Sequence, residues 1–277
     1  MAEEFAGDYA EDLALALDIV DAVDAVTSAG AQGVFEIEMK PDDTPVTAVD
    51  RAAERLVRDR LAEARPDDAV VGEEYGITGA AVRRWVVDPI DGTKNFVRRV
   101  PVWGTLLGLI DKDEDGKDQC VVGVVSAPAL GRRWYAAAGA GAWSVTQVHG
   151  FPTAPRALSV SRVSELSQAS LSYSDLVYWD RVGRTEGILA LQRAVTRTRG
   201  YGDFWSYMMV AEGMVDIATE PTLAIYDMTA LVAIVTEAGG RFTGLDGVDG
   251  PFSESALATN GLLHERALSL LSAPPSS

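Results

Sequence analysis

Apolar and polar positions along this chain change their period several times, and each change marks an element. Over residues 9–29, Leu13, Ala16, Leu17, Val20 and Val23 fall on one face and Asp12, Asp18 and Asp21 largely elsewhere, which predicts an amphipathic helix. A strand over 34–39 and a Pro- and Asp-rich loop over 40–46 follow. A second helix is expected over 47–64, with Ala52, Leu56 and Leu61 among its apolar positions, ended by Pro66 and two aspartates. Residues 69–71 form a short strand running into Gly72-Glu73-Glu74. A further strand over 84–87 stops at Asp88-Pro89. Apolar runs over 102–110, 119–127 and 132–137, broken by a charged turn and by Pro128, predict an antiparallel meander.

After about residue 150 the texture changes. Strands are expected over 169–173, 196–199, 215–219 and 241–243, and helices over 180–195, 203–213 and 228–238. The last helix is closed by Gly239-Gly240. The Pro-Pro-Ser-Ser tail predicts fraying. A soft boundary near 145–160 divides an α+β first lobe from an α/β second lobe.

Composition narrows the partners. The chain has 277 residues, a net charge of −17 and a pI near 4.5. Such a balance excludes general nucleic-acid binding and an anionic membrane surface, both of which need clustered Lys and Arg. An anionic substrate then needs a metal ion or a nest of backbone N–H groups. Cys120 is the single cysteine, which fits a reducing cytosol. The start, Met-Ala-Glu-Glu, lacks a basic leader region. The apolar stretch 13–26 is interrupted by Asp18, Asp21 and Asp24 and is too short to span a bilayer. A cytoplasmic protein is expected. His149 and His264, the two histidines, offer little for a His-rich metal site and are expected as surface or packing residues.

The chemistry concentrates in Asp88-Pro89-Ile90-Asp91-Gly92-Thr93. A buried strand delivers two carboxylates at its end, and a tight turn can aim them and the Ile90 carbonyl at one point. That all-oxygen set suits a hard cation such as Mg²⁺. If Thr93 opens a helix, its free N–H groups favour a phosphate beside the metal. The same dipeptides also make ordinary turns. Glu73 follows another apolar strand at a Gly turn and can converge on the same ions; its alternative is an exposed loop charge. Asp227 precedes the helix at 228–238 and can serve as its N-cap, as a ligand, or as both.

Gly72-Glu73-Glu74, the run from Trp85 to Phe96, and Tyr226-Asp227 ahead of Glu237-Ala238-Gly239-Gly240 together resemble the inositol monophosphatase family, in order and spacing, over roughly residues 10 to 265. The resemblance implies phosphomonoester hydrolysis with two or three Mg²⁺ ions. It implies a layered αβαβα sandwich of the inositol monophosphatase and fructose-bisphosphatase type, usually a homodimer. Residues 1–148 would form the metal-binding lobe and 149–277 the substrate lobe. Glu73, Asp88, the Ile90 carbonyl, Asp91 and Asp227 match the family's metal ligands. Glu73 and Thr93 match the groups that orient the attacking water, and Gly92 and Thr93 the amides facing phosphate. Asp50 matches a carboxylate near a weaker additional metal; by its position alone it is a first-turn helix aspartate. Tyr226 stands where the family commonly has Trp.

The wording of 95–103 and 201–207 resembles the bacterial histidinol-phosphatase branch. Histidinol phosphate carries an amine and an imidazole, so its site should offer carboxylates and an aromatic wall. Glu220 matches a substrate-contacting glutamate of the family, and Asp203 borders the same pocket. Trp205 and Tyr207 either supply the wall or pack their helix. Glu220 would equally serve the hydroxyls of inositol 1-phosphate, which keeps a sugar-phosphate phosphatase as the alternative. A regulatory metal-binding protein without turnover is a third class, disfavoured by the intact set of oxygen donors.

Overall fold

The computed structural model describes residues 7–33, 37–39, 45–148 and 150–272. Parts of the expected first strand (34–36) and loop (40–44), His149, the first six residues and the tail 273–277 lie outside the described residues.

Helix α1 (Ala10–Gln32) buries the expected face: Leu13, Ala16, Leu17, Val20 and Val23. Asp12 corrects the expectation, because it too is buried, accepting from Arg65 Nε at 2.9 Å and pairing with Arg83 at 2.6 Å. Strands β1 (Ile37–Met39) and β2 (Pro45–Thr47) form a two-stranded ribbon, so Pro45 and Val46 are strand rather than loop. Helix α2 (Ala48–Ala64) begins at a capping box: Asp50 Oδ2 accepts the Thr47 N–H at 2.9 Å, and the Thr47 hydroxyl accepts the Val49 and Asp50 N–H groups. Its buried face is Ala53, Val57 and Leu61, with Ala52 exposed and Leu56 half-buried. Asp50 and Glu54 share that buried face, and two polar residues there mask its apolar period.

The main sheet contains β3 (Ala69–Gly72), β4 (Gly76–Thr78), β5 (Arg84–Asp91), β6 (Gly104–Lys112), β7 (Asp118–Ala127), β8 (Arg132–Ala137), β9 (Gly141–Val148) and β10 (Phe151–Pro152), in the order β10-β9-β8-β7-β6-β5-β3-β4. Strand β11 (Arg156–Ala157) also pairs with β9. The meander holds, and β9 extends it beyond the sequence reading. Strand β5 does not stop at Asp88. It runs through Pro89, with a register shift between Asp88, opposite Leu106, and Asp91, opposite Gly104. The missing N–H of proline falls in this irregularity, where it breaks no regular ladder. The Pro89 carbonyl instead accepts the Thr105 hydroxyl at 2.9 Å.

Two short helices, α3 (Thr93–Val97) and α4 (Leu176–Arg181), precede α5 (Thr185–Ala194). The single helix expected over 180–195 is therefore two, separated at Gly183 with φ +69°. The second sheet holds β12 (Ser170–Ser172), β13 (Arg197–Arg199), β14 (Ile217–Glu220), β15 (Arg241–Thr243) and β16 (Ala256–Thr259), in the order β13-β12-β14-β16-β15. Strands β12, β13 and β14 are parallel, and β16 runs antiparallel to both its neighbours. Helices α6 (Asp203–Ala211) and α7 (Ile225–Glu237) lie between the sheets, and α8 (His264–Leu271) lies outside the second. Neither β16 nor α8 was legible in the sequence.

The layers follow from alternation along each strand. Leu107, Leu109, Val122 and Val124 face α1 and α2, whereas Leu106, Val125 and Trp134 face α6 and α7. In the second sheet Ala218 and Ala258 join that inner layer, while Ile217 and Leu257 pack outward with Trp179, Ile188 and Leu271. The result is the expected αβαβα sandwich. Among the described residues no helix is long and apolar enough to cross a membrane. His264 is a packing residue, buried between the Thr243 and Thr259 hydroxyls at 3.0 and 3.1 Å, and burial lowers its pKa to about 4.

Helix α7 lies almost on the backbone of the main sheet. Gly108 and Gly123 oppose each other in β6 and β7. A Cβ at Gly123 would stand 2.4 Å from the Ala230 carbonyl oxygen, and one at Gly108 2.6 Å from Thr229 Cγ2. Gly123→Ala is expected to cost about 1–3 kcal/mol by forcing the helix away. Thermal unfolding measures it; an unchanged Tm would contradict so close an approach.

Candidate active site

The irregularity in β5 creates the site. Residues three apart on a regular strand point to opposite faces. The register shift brings the Asp88 and Asp91 carboxylates to one side. Helix α7 supplies the third: one carboxylate oxygen each from Asp88, Asp91 and Asp227 lie within 4.8 Å of one another. Asp227 is not the N-cap but the third residue of α7, and its Oδ2 accepts the Ala224 N–H at 2.7 Å. Glu73 follows β3 and lies within hydrogen-bonding reach of Asp88. The four acidic side chains named from the sequence line one cleft of ≈ 620 Å³, together with Ile90, Gly92 and Thr93.

Each aspartate is oriented by a main-chain donor. Asp88 Oδ1 accepts the Ile90 N–H at 3.0 Å, and Asp91 Oδ2 accepts the Phe204 N–H, from the first turn of α6, at 2.8 Å. The Thr93 hydroxyl donates to the Ile90 carbonyl at 3.0 Å. Gly92 has φ +82°, and a Cβ there would stand 3.0 Å from the Val102 carbonyl oxygen and 3.1 Å from Asp203 Oδ2. Only glycine suits both the backbone and the space. Asn95 and Phe96 donate to the Gly92 carbonyl, which leaves the Thr93 and Lys94 N–H groups ahead of the first helical bond.

Asp50 stands apart from the cleft lining. It is fully buried near Glu73; Oδ2 serves the capping box, while Oδ1 has no hydrogen-bond partner. Asp203 and Glu220 also line the cleft, Asp203 close to Gly92. Asp203 Oδ2 accepts from Asn95 Nδ2 at 2.9 Å, which ties α6 to α3. Glu220 accepts the Ser174 N–H at 2.5 Å. Phe204 and Tyr207 line the cleft; Trp205 does not, and packs edge-on against Tyr201 at 5.8 Å. No local pattern pointed to Tyr178, which reaches the cleft from α4 and accepts from Lys94 Nζ at 2.9 Å, or to Ser174 and Glu254.

Burial dominates the electrostatics. It raises the pKa of Asp88 well above the ordinary value, reinforced by the charges of Glu73, Asp91 and Asp227. Burial likewise raises Asp91, reinforced by Asp203 and Asp227 and opposed by the Phe204 N–H. Asp227 is pushed up to about 7 and Glu220 to about 8, in both cases by desolvation against the pull of hydrogen bonds. Asp203 is raised by burial, with Lys94 opposing. Among the described residues no Lys or Arg forms an ion pair with Asp88, Asp91 or Asp227. Clustered carboxylates without a cationic partner, with a carbonyl alongside, fit a hard divalent ion.

A profile of the inositol monophosphatase family matches residues 8–274. A histidinol-phosphatase of Streptomyces coelicolor is 54% identical over 265 residues, covering 95% of this chain and 98% of the relative. A histidinol-phosphatase of Mycobacterium tuberculosis is 53% identical with the same coverage. The solved structure of an inositol monophosphatase from Zymomonas mobilis superposes with a TM-score of 0.81 at 27% identity, covering 97% of this chain and 100% of that one.

The raised pKa values set a pH dependence. A carboxyl whose folded pKa exceeds its unfolded value stabilises the fold below the unfolded pKa and loses that contribution as pH rises through the folded one. For Asp227 the window runs from 3.8 to about 7. A cation held by this cluster would displace the same protons. The rise in Tm caused by saturating Mg²⁺ is therefore expected to be larger at pH 8 than at pH 5.5. Differential scanning calorimetry tests this, and an equal or smaller rise at pH 8 would contradict it.

Proposed function

Because the chain belongs to the inositol monophosphatase family, we propose that it hydrolyses histidinol phosphate to histidinol and phosphate with the help of Mg²⁺. It is a phosphoric monoester hydrolase; the substrate and the residue roles are the proposal. The observation that carries it is the placing of Asp88, Asp91 and Asp227 within 4.8 Å, beside Glu73 and the start of α3, with Asp203 and Glu220 in the lining of the same cleft.

Glu73, Asp88, the Ile90 carbonyl, Asp91 and Asp227 would hold two Mg²⁺ ions, with Asp50 behind Glu73 serving a weaker third. Bound there, the metal supplies charge neutralisation on phosphate and leaving oxygens and a lowered pKa for water. The chain's own groups do the aiming. The Gly92 and Thr93 amides face the phosphate oxygens. The Thr93 hydroxyl spends its hydrogen on the Ile90 carbonyl, so its oxygen is left to accept from water. Glu73 takes the other hydrogen of that water and points its lone pair along the in-line path. The Ile90 carbonyl keeps a second lone pair for the ion.

Specificity rests on the rest of the cleft lining. Glu220 and Asp203 offer buried carboxylates to a cationic amine or imidazole, whereas Phe204 and Tyr207 are packed in the core on Trp134 and Phe242. The high identity to two histidinol-phosphatases supports this choice over inositol 1-phosphate, although the Glu220 carboxylate would also accept hydroxyls. The same reading assigns metal to residues 1–148, together with Asp227, and substrate recognition to 149–277. It also takes the enzyme as a cytoplasmic homodimer, which sedimentation and fractionation would test.

Phosphate release is expected to be fastest, by kcat/KM, on histidinol phosphate among histidinol phosphate, inositol 1-phosphate, fructose 1,6-bisphosphate and a 3′-phosphonucleotide. A preference for inositol 1-phosphate would transfer the assignment to the alternative. Asp91→Asn is expected to abolish turnover while the circular dichroism spectrum stays native. Full activity would refute its role. Glu220→Gln is expected to reduce kcat/KM on histidinol phosphate by about 10-fold or more, the loss typical of one charged hydrogen bond, with Mg²⁺ half-activation unmoved.

A further inference from the structure

Glu54 is a carboxylate with no place in the chemistry described above, yet it is fully buried on α2. It lies one helical turn beyond Asp50, directly beneath the turn that carries Glu73. Its Oε2 accepts the Glu74 N–H at 2.7 Å, and its Oε1 accepts the Tyr75 N–H at 3.2 Å. Arg58 pairs with it at 2.8 Å and reaches on to the Gly76 carbonyl at 2.5 Å and the Thr78 hydroxyl at 2.7 Å. The Glu73 N–H itself still donates to Val87 at the end of the sheet. The chain leaves β3 at Gly72 and returns as β4 at Gly76, its residue partner in the hairpin. Glu73 is thus the first residue of a three-residue turn, and the two N–H groups that follow it end on one buried side chain.

Gly72 is shaped to this contact. A Cβ there would stand 2.0 Å from Glu54 Oε1 and 2.8 Å from an Arg58 guanidinium nitrogen. Its backbone is not in the left-handed region, so space and not conformation requires glycine.

We propose that Glu54 is a positioning residue for Glu73: by fixing the 73–75 turn it sets the direction of the Glu73 carboxylate toward Asp88. This rests on the reading of Glu73 as a metal-side, water-orienting group. Without Glu54 the two turn amides and Arg58 lose their common acceptor, and nothing on α2 replaces it. Outer partners that orient metal ligands typically change metal affinity or activity by about 10–100-fold when removed.

The test uses the full chain, with Mn²⁺ titrated calorimetrically into substrate-free protein and with steady-state turnover of histidinol phosphate. Glu54→Ala is expected to weaken Mn²⁺ binding and lower kcat by about 10-fold or more, while KM for histidinol phosphate moves less than twofold. Gly72→Ala leaves Glu54 in place but displaces its carboxylate, and should act in the same direction even if Glu54→Ala folds poorly. In a Glu73→Gln background, Glu54→Ala should add less than a twofold further loss. Native Mn²⁺ affinity in both Glu54→Ala and Gly72→Ala, or a full additive loss in the Glu73→Gln background, would overturn the proposal. If Glu73→Gln alone binds Mn²⁺ and turns over as the unaltered chain does, the reading of Glu73 has failed and Glu54 falls with it.

Discussion

Mutual repulsion among buried carboxylates is the constraint around which this molecule is built. Asp88, Asp91 and Asp227 crowd within 4.8 Å, Glu73 sits beside them, and no basic side chain among the described residues pairs with the three aspartates. Unit charges about 4 Å apart interact by several kcal/mol even at the intermediate polarity near a protein surface. The fold must hold these groups against that push. It does so with main-chain donors: Ile90 for Asp88, Phe204 for Asp91, Ala224 for Asp227. In each case a main-chain donor holds one oxygen, while the three carboxylates keep an oxygen apiece within 4.8 Å of one another. Asp50, tethered by Thr47 with an unpartnered second oxygen, repeats the device.

Two of these tethers are local and one, Phe204 to Asp91, spans 113 positions, but the segments that carry the three aspartates and the Phe204 donor lie far apart, so the site depends on the whole sandwich. Phe204 and Asp203 begin α6, Ala224 precedes α7, and both helices lie between the sheets. Helix α7 can carry Asp227 to the end of β5 because Gly108 and Gly123 let it rest on the sheet backbone. Asn95 closes the arrangement from the other side by donating to Asp203, which holds a left-handed φ of +47° without being glycine. A strained backbone held by a specific hydrogen bond at the cleft is the pattern expected of a functional position.

The motif from Asp88 to Thr93 and the meander were legible in the sequence, because each rests on local composition and spacing; the layered architecture was implied only by the family resemblance. The misses have identifiable physical origins. The buried face of α2 was offset from the apolar reading because Asp50 and Glu54 occupy it, and hydrophobic periodicity cannot see a buried acid whose partners are elsewhere. Sequence pattern ends β5 at Asp88 because proline normally interrupts a ladder; the register shift that accommodates Pro89 depends on β6. The apolar run from Met228 suggests a capping role for Asp227 beside its ligand role, while the helix starts at Ile225. Tyr178 joins the cleft through a contact with Lys94 across 84 positions, which no local pattern encodes.

We hold that the acidic cluster binds divalent cations at the phosphate site. Crystals soaked in Mn²⁺ and examined at the manganese absorption edge test it directly. An anomalous peak bounded by Asp88, Asp91 and Asp227 is the expected result. Manganese peaks confined to other surfaces of the molecule, with this cluster bare at saturating Mn²⁺ and pH 8, would contradict it.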